Sequence, residues 1–94
     1  MTGPAASWTF FTNHAHVLVC LAGDPNLRLR DVADRVGITE RAVQGIVADL
    51  VEAGILSRRR EGRRNIYAID KKQPLRHAIE QHCSVGQMLE FIVN

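Results

Sequence analysis

Ten of the twelve basic residues in this 94-residue chain are Arg, and five of them, Arg58, Arg59, Arg60, Arg63 and Arg64, fall within seven positions. Glu61 is the one acid among them, so the stretch 58–64 carries five minus one, or +4, where the whole chain carries only +2. A guanidinium is planar, always charged and forked, and it matches phosphate oxygens and guanine edges better than an ammonium group does. The preference for Arg over Lys therefore leans toward nucleic acid. Taken alone, the run also fits a solvated hairpin edge protected against aggregation, so what precedes it has to decide.

Other chemistry is sparsely represented. Cys20 and Cys83 are too few for a disulfide framework or a four-ligand zinc site, and no Cys-x-x-Cys occurs. A reduced, cytoplasmic protein is the simpler expectation. His16 and Cys20 share i, i+4 spacing, while His77 and Cys83 are six positions apart, not the three or four that align ligands on one helical face. These side chains, with His14 and His82, read as packing or surface residues, and neither a metal nor a cofactor is expected. Ser7, Ser57 and Ser84 stand in no nucleophile motif, and no phosphate loop is present, so the chain is not expected to be an enzyme.

With 46% hydrophobic and 23% charged residues the composition is that of a folded domain. Its length allows one small core, which a partner subunit would extend. The longest apolar stretch, 15–22, is far shorter than the roughly 20 residues of a membrane span, and no basic region opens the chain, so no membrane partner is expected.

The elements that would position the Arg run follow from spacing. Residues 1–7 read as a loose start, and Trp8, Phe10 and Phe11 concentrate apolar surface that has to pack on something. Thr12 or Asn13 caps a helix along which His14, Val17, Leu18 and Leu21 repeat, with Ala15, Val19 and Ala22 on its other side; it should be covered on more than one face. Leu29, Val32, Ala33 and Val36 mark a second helix that stops at Gly37, with Ile38 pointing inward from the turn. Thr39 caps a third, with Ala42, Val43, Ile46, Val47 and Leu50 as its apolar stripe and Gly54 as its end. Glu40, Arg41, Gln44, Gly45, Ala48, Asp49 and Glu52 form its opposite face. Residues 55–60 and 64–69 read as two strands about a tight Glu61-Gly62-Arg63 connection. Beyond a link at 70–74, Leu75, Ile79 and Cys83 suggest a further helical region. Ser84 and Gln87 then form a capping box for a last helix, with Val85, Met88, Leu89 and Ile92 on one face.

Two short helices joined by a Gly-containing turn and followed by a basic hairpin form the pattern of a winged helix-turn-helix. Ala33 is small where the helices cross, Gly37 follows four positions later, and Val43 and Ile46 face back onto the first helix. Residues 33–46 resemble the helix-turn-helix signature. Residues 27–69, in particular Asp49-Leu50-Val51-Glu52-Ala53-Gly54-Ile55-Leu56 with Arg58-Arg59-Arg60-Glu61-Gly62-Arg63 after it, resemble winged-helix bacterial regulators of the MarR and ArsR type. The resemblance implies a mainly α fold with a small β-wing: a three-helix core, a hairpin wing and additional terminal helices for dimerisation. It implies a homodimeric transcriptional regulator, a repressor, that binds double-stranded DNA.

The expected layout is an N-terminal arm at 1–12, the DNA-binding domain at 13–70 and a dimerisation segment at 71–94. Thr39, Glu40, Arg41, Gln44 and Gly45 should meet the major groove, and Arg58, Arg59, Arg60, Arg63 and Arg64 the backbone or minor groove. Trp8, Phe10, Phe11, Val85, Met88, Leu89 and Ile92 should meet a second copy. Gly45 either admits the DNA backbone closely or merely weakens its helix. Two rivals are a winged-helix protein-interaction module, whose Arg run faces acidic protein, and a DNA-binding metal or redox sensor switched at Cys83 or Cys20. The residues identify no effector.

Overall fold

The computed structural model describes residues 8–93; the loose start expected at 1–7 lies outside them. The order is α1 (Asn13–Gly23), α2 (Leu29–Val36), α3 (Glu40–Glu52), β1 (Leu56–Glu61), β2 (Arg64–Ile69) and α4 (Val85–Ile92). Each boundary has a local cause. Thr12 accepts from the Ala15 N–H to open α1, and Thr39 from the Ala42 N–H at 3.0 Å to open α3. Gly37 ends α2 at φ 87°, a left-handed conformation in which its N–H and that of Ile38 both reach the Ala33 carbonyl oxygen, at 2.8 and 3.1 Å. Gly54 ends α3 in the same region at φ 77°.

The core is one cluster. Val17, Leu18 and Leu21 of α1, Val32 and Ala33 of α2, and Val43, Ile46, Val47 and Leu50 of α3 meet Ile55, Leu56 and Tyr67 at the foot of the hairpin. As the spacing predicts, α1 is covered on several sides, packing on α2, α3, α4 and β2. His14 departs from that stripe: it is exposed, and its ring Nε2 lies 2.9 Å from Asp49 Oδ2 on α3. Ala42, assigned to the α3 stripe, is also exposed. The hairpin is antiparallel, with Leu56 opposite Ile69 and Glu61 opposite Arg64, so its loop is only Gly62 and Arg63. Gly62 at φ 61° is the glycine that a two-residue turn needs at its first position.

Two expectations for the C-terminal third are corrected. Residues 71–84 form turns, not a helix. Pro74 and Ser84 bridge in antiparallel fashion, and the Leu75 and Val85 N–H groups donate to Cys83 and Gln73 carbonyls at 2.9 and 2.8 Å. Inside the loop, His77 Nδ1 accepts from the Ile79 N–H and Glu80 from the His77 N–H, which meets locally the demand a helix would otherwise satisfy. Leu75 packs on the core, while Ile79 is 80% exposed. The capping box opening α4 forms as read, with Ser84 N–H to Gln87 Oε1 at 2.8 Å and Gln87 N–H to Ser84 Oγ at 3.1 Å.

The second correction concerns what α4 packs on. Val85 and Leu89, expected at a subunit interface, are 1% and 4% exposed within this single chain because α4 lies on α1. Met88 leans on the same core and Ile92 is half-buried. The large apolar residue that α4 leaves in the open is Phe91. Its first turn is seated closely: a Cβ at Gly86 would come within 2.9 Å of Lys71 Cβ, and the Gly86 N–H donates to the Lys71 carbonyl at 3.0 Å.

Candidate nucleic-acid interface

The exposed face of α3 runs from its capped N-terminus along Glu40, Arg41, Gln44, Gly45 and Ala48. The buried stripe of Val43, Ile46, Val47 and Leu50 on the other side fixes its rotation. Arg41 and Gln44 form no side-chain hydrogen bond or ion pair among the described residues, so their donors are uncommitted. Thr39 spends its hydroxyl oxygen as acceptor for the Ala42 N–H, which leaves the hydroxyl hydrogen available at the positive end of the helix dipole. Farther along, the face turns acidic at Asp49 and Glu52, so its N-terminal half is the part suited to an anionic surface.

Gly45 lies on this face with no atom within 4 Å of where a Cβ would stand. Nothing among the described residues requires glycine there. Gly45→Ala should therefore stabilise the free protein by about 0.8 to 1 kcal/mol in chemical denaturation, the helix-propensity difference. A duplex affinity that falls in this more stable variant would assign the glycine to close approach of DNA; an unchanged affinity would leave it as a tolerated weak point.

The wing does not present its five arginines alike. Arg59 Nη2 pairs with Glu61 at 2.7 Å, and Arg60 Nε donates to the carbonyl of Gly62, the first loop residue, at 3.4 Å. Arg64 Nη2 donates to the Asn26 carbonyl in the turn between α1 and α2. Arg58 and Arg63 hold no side-chain partner among the described residues, although both are exposed. The charge run is thus two free guanidiniums and three tethered ones, a division invisible in the sequence because it depends on strand register and on a turn 38 positions away.

The aromatic arm is exposed at Trp8, Phe10 and Phe11, and Trp8 meets Phe10 edge to face with ring centroids 5.1 Å apart. Phe10 and Phe11 line a groove of about 750 Å³ together with Leu18, Leu50, Leu75 and Met88, and the His14–Asp49 pair stands at its edge. The sequence reading missed this pair, since His14 matched an apolar stripe. Among the described residues no three His, Cys, Asp or Glu side chains converge as metal ligands would. Cys20 and Cys83 are free thiols, both half-buried. Burial pushes the Cys20 thiol up from its ordinary range, with nearby Arg35 working weakly against that, which lowers its thiolate fraction. No helix among the described residues is long and apolar enough to cross a membrane.

Comparison with known proteins agrees with this geometry. Residues 13–57 match the family described as winged helix-turn-helix DNA-binding. Among solved structures, the transcriptional regulator PcaV of Streptomyces coelicolor, determined with its natural ligand, is 28% identical with a TM-score of 0.56, over 64% of this chain and 45% of its own. The zinc-dependent MarR-family regulator AdcR, determined in its Zn(II)-bound state, shares the fold at 22% identity and a TM-score of 0.50, over 74% of this chain and 50% of its own. The chain thus spans about half the length of either regulator. No curated protein matches it. Helix-turn-helix, wing and family match together make residues 13–57, just under half of the chain, similar to the winged helix-turn-helix DNA-binding family, and the chain shares the fold of the MarR-family regulator AdcR.

Proposed function

We propose that the protein is a transcriptional regulator of the MarR type that binds double-stranded DNA as a homodimer and acts as a repressor. The observation that carries this reading is the open N-terminal half of the α3 face, with Arg41 and Gln44 uncommitted among the described residues, in the same chain as a wing with two guanidiniums that hold no partner among them. Arg41 and Gln44 reach base edges in the major groove, Thr39 and the first N–H groups of α3 hold a phosphate, and Arg58 and Arg63 take phosphates or the adjacent minor groove. Family match and the likeness to PcaV support the DNA partner.

The second copy is argued from apolar surface. Trp8, Phe10 and Phe91 are all exposed, and together they present more aromatic area than a small domain keeps in water. Met88 lines the groove beside Phe10 and Phe11, and Val85 and Leu89 are buried where α4 lies on α1. A two-fold dimer then sets its α3 helices about 34 Å apart, one turn of duplex, as successive major grooves require. We assign the protein no catalytic role.

Titration of a labelled duplex with the protein over a range of salt tests the proposal. A stoichiometry of two chains per site and a steep fall of log K with log salt are expected, and Arg58→Ala with Arg63→Ala should flatten the slope by about 0.9 per lost phosphate contact. A slope that stays unchanged in that double variant would turn the wing away from DNA. Absence of salt-dependent duplex binding altogether would favour the protein-interaction module instead.

A further inference from the structure

The outer part of the wing has little to hold it. Its apolar attachment lies at the base, where Leu56 and Tyr67 are buried, while residues 57–65 are exposed on both strands and through the loop. Among the described residues one side-chain hydrogen bond runs from this exposed part to the helical body, from Arg64 Nη2 to the Asn26 carbonyl oxygen. Both ends of that bond are prepared. Asn26 stands in a closed turn, its N–H donating to Asp24 Oδ1 at 3.0 Å and the Leu27 N–H to the Asp24 carbonyl at 3.2 Å, with Pro25 fixing φ between them. Glu61, the cross-strand neighbour of Arg64, pairs with Arg59, and Arg64 reaches the turn instead.

We propose that Arg64 is a positioning residue: it ties the wing to the turn between α1 and α2 and thereby sets the attitude in which Arg58 and Arg63 meet DNA, in place of binding phosphate itself. The tie is a property of the free protein; only its consequence for affinity rests on the DNA-binding reading. A bond from a charged donor to a pre-organised carbonyl is stronger than one between neutral groups. A wing released from it would sample many angles, and each would have to be reordered on binding.

Amide hydrogen exchange in the DNA-free protein tests the tie directly, comparing the parent with Arg64→Ala and Arg63→Ala and using the amides of α3 as an internal reference for overall stability. Exchange across residues 59–65 should rise about three- to tenfold relative to α3 in Arg64→Ala, and stay unchanged in Arg63→Ala. Duplex affinity should fall by a similar factor in Arg64→Ala. Exchange in Arg64→Ala matching the parent would overturn the proposal, and a salt-slope loss of about 0.9 alongside it would make Arg64 an ordinary phosphate contact. Faster wing exchange in a protein that fails to bind duplex would retain the tie and reject the DNA-binding reading, so the two failures are distinct.

Discussion

Leu21→Ala is expected to cost about 2 to 5 kcal/mol of folding stability, the range for truncating a buried leucine whose surroundings relax only in part. Leu21 is among the most deeply buried side chains of α1, and that helix is held by α2, α3, α4 and β2 at once. Collapse from one side cannot fill the cavity when the walls are anchored on several. Small domains carry only about 5 to 15 kcal/mol in total, so the loss is a large share of what there is. In a chain of this size each kcal/mol moves the midpoint of thermal unfolding by about 4 to 8 °C, and calorimetry or urea titration would register the shift readily. A loss below about 1 kcal/mol would mean that α1 is not seated in the core as described.

How much of this could be read beforehand depends on the kind of signal. The stripes Val17-Leu18-Leu21, Val32-Ala33 and Val43-Ile46-Val47-Leu50 were legible because a helix buries one face at a fixed period, and Gly37 and Thr39 because backbone geometry demands those residue types at a stop and a cap. An apolar stripe, however, says that a face is covered and not by what. Val85 and Leu89 satisfy the pattern equally well against α1 of their own chain as against a second copy, and the structure decides for α1. Leu75, Ile79 and Cys83 carry helical spacing by coincidence. Pro74 and the local side-chain bonds of His77 and Glu80 stabilise turns there instead. For the Arg run, sequence supplies the net charge but not its division between free and tethered groups. That division requires the register that sets Glu61 opposite Arg64 and the folded turn that brings Asn26 within reach.

The division matters for what each part of the interface contributes. In the proposed complex Arg58 and Arg63 neutralise phosphates and so raise affinity for every sequence alike, whereas discrimination has to come from side chains that touch base edges. On α3 the two candidates are Arg41 and Gln44, both exposed and without a side-chain partner among the described residues, projecting from the first turns after the Thr39 cap. Arg pairs in bidentate fashion with guanine and Gln with adenine, so Arg41→Ala and Gln44→Ala should each cost about 1 to 3 kcal/mol on a cognate duplex and much less on a scrambled one. Neither change should disturb folding, since neither side chain makes a hydrogen bond or ion pair among the described residues. Val43→Ala and Ile46→Ala should behave in the opposite way, losing stability before specificity, because both stand between α3 and the rest of the core. Affinities for cognate and scrambled duplexes at one salt concentration, with denaturation midpoints for the same four variants, would separate the two classes. Equal losses on both duplexes for Arg41→Ala and Gln44→Ala would show that α3 only positions the protein, and would move the source of specificity to the wing or to the shape of the DNA.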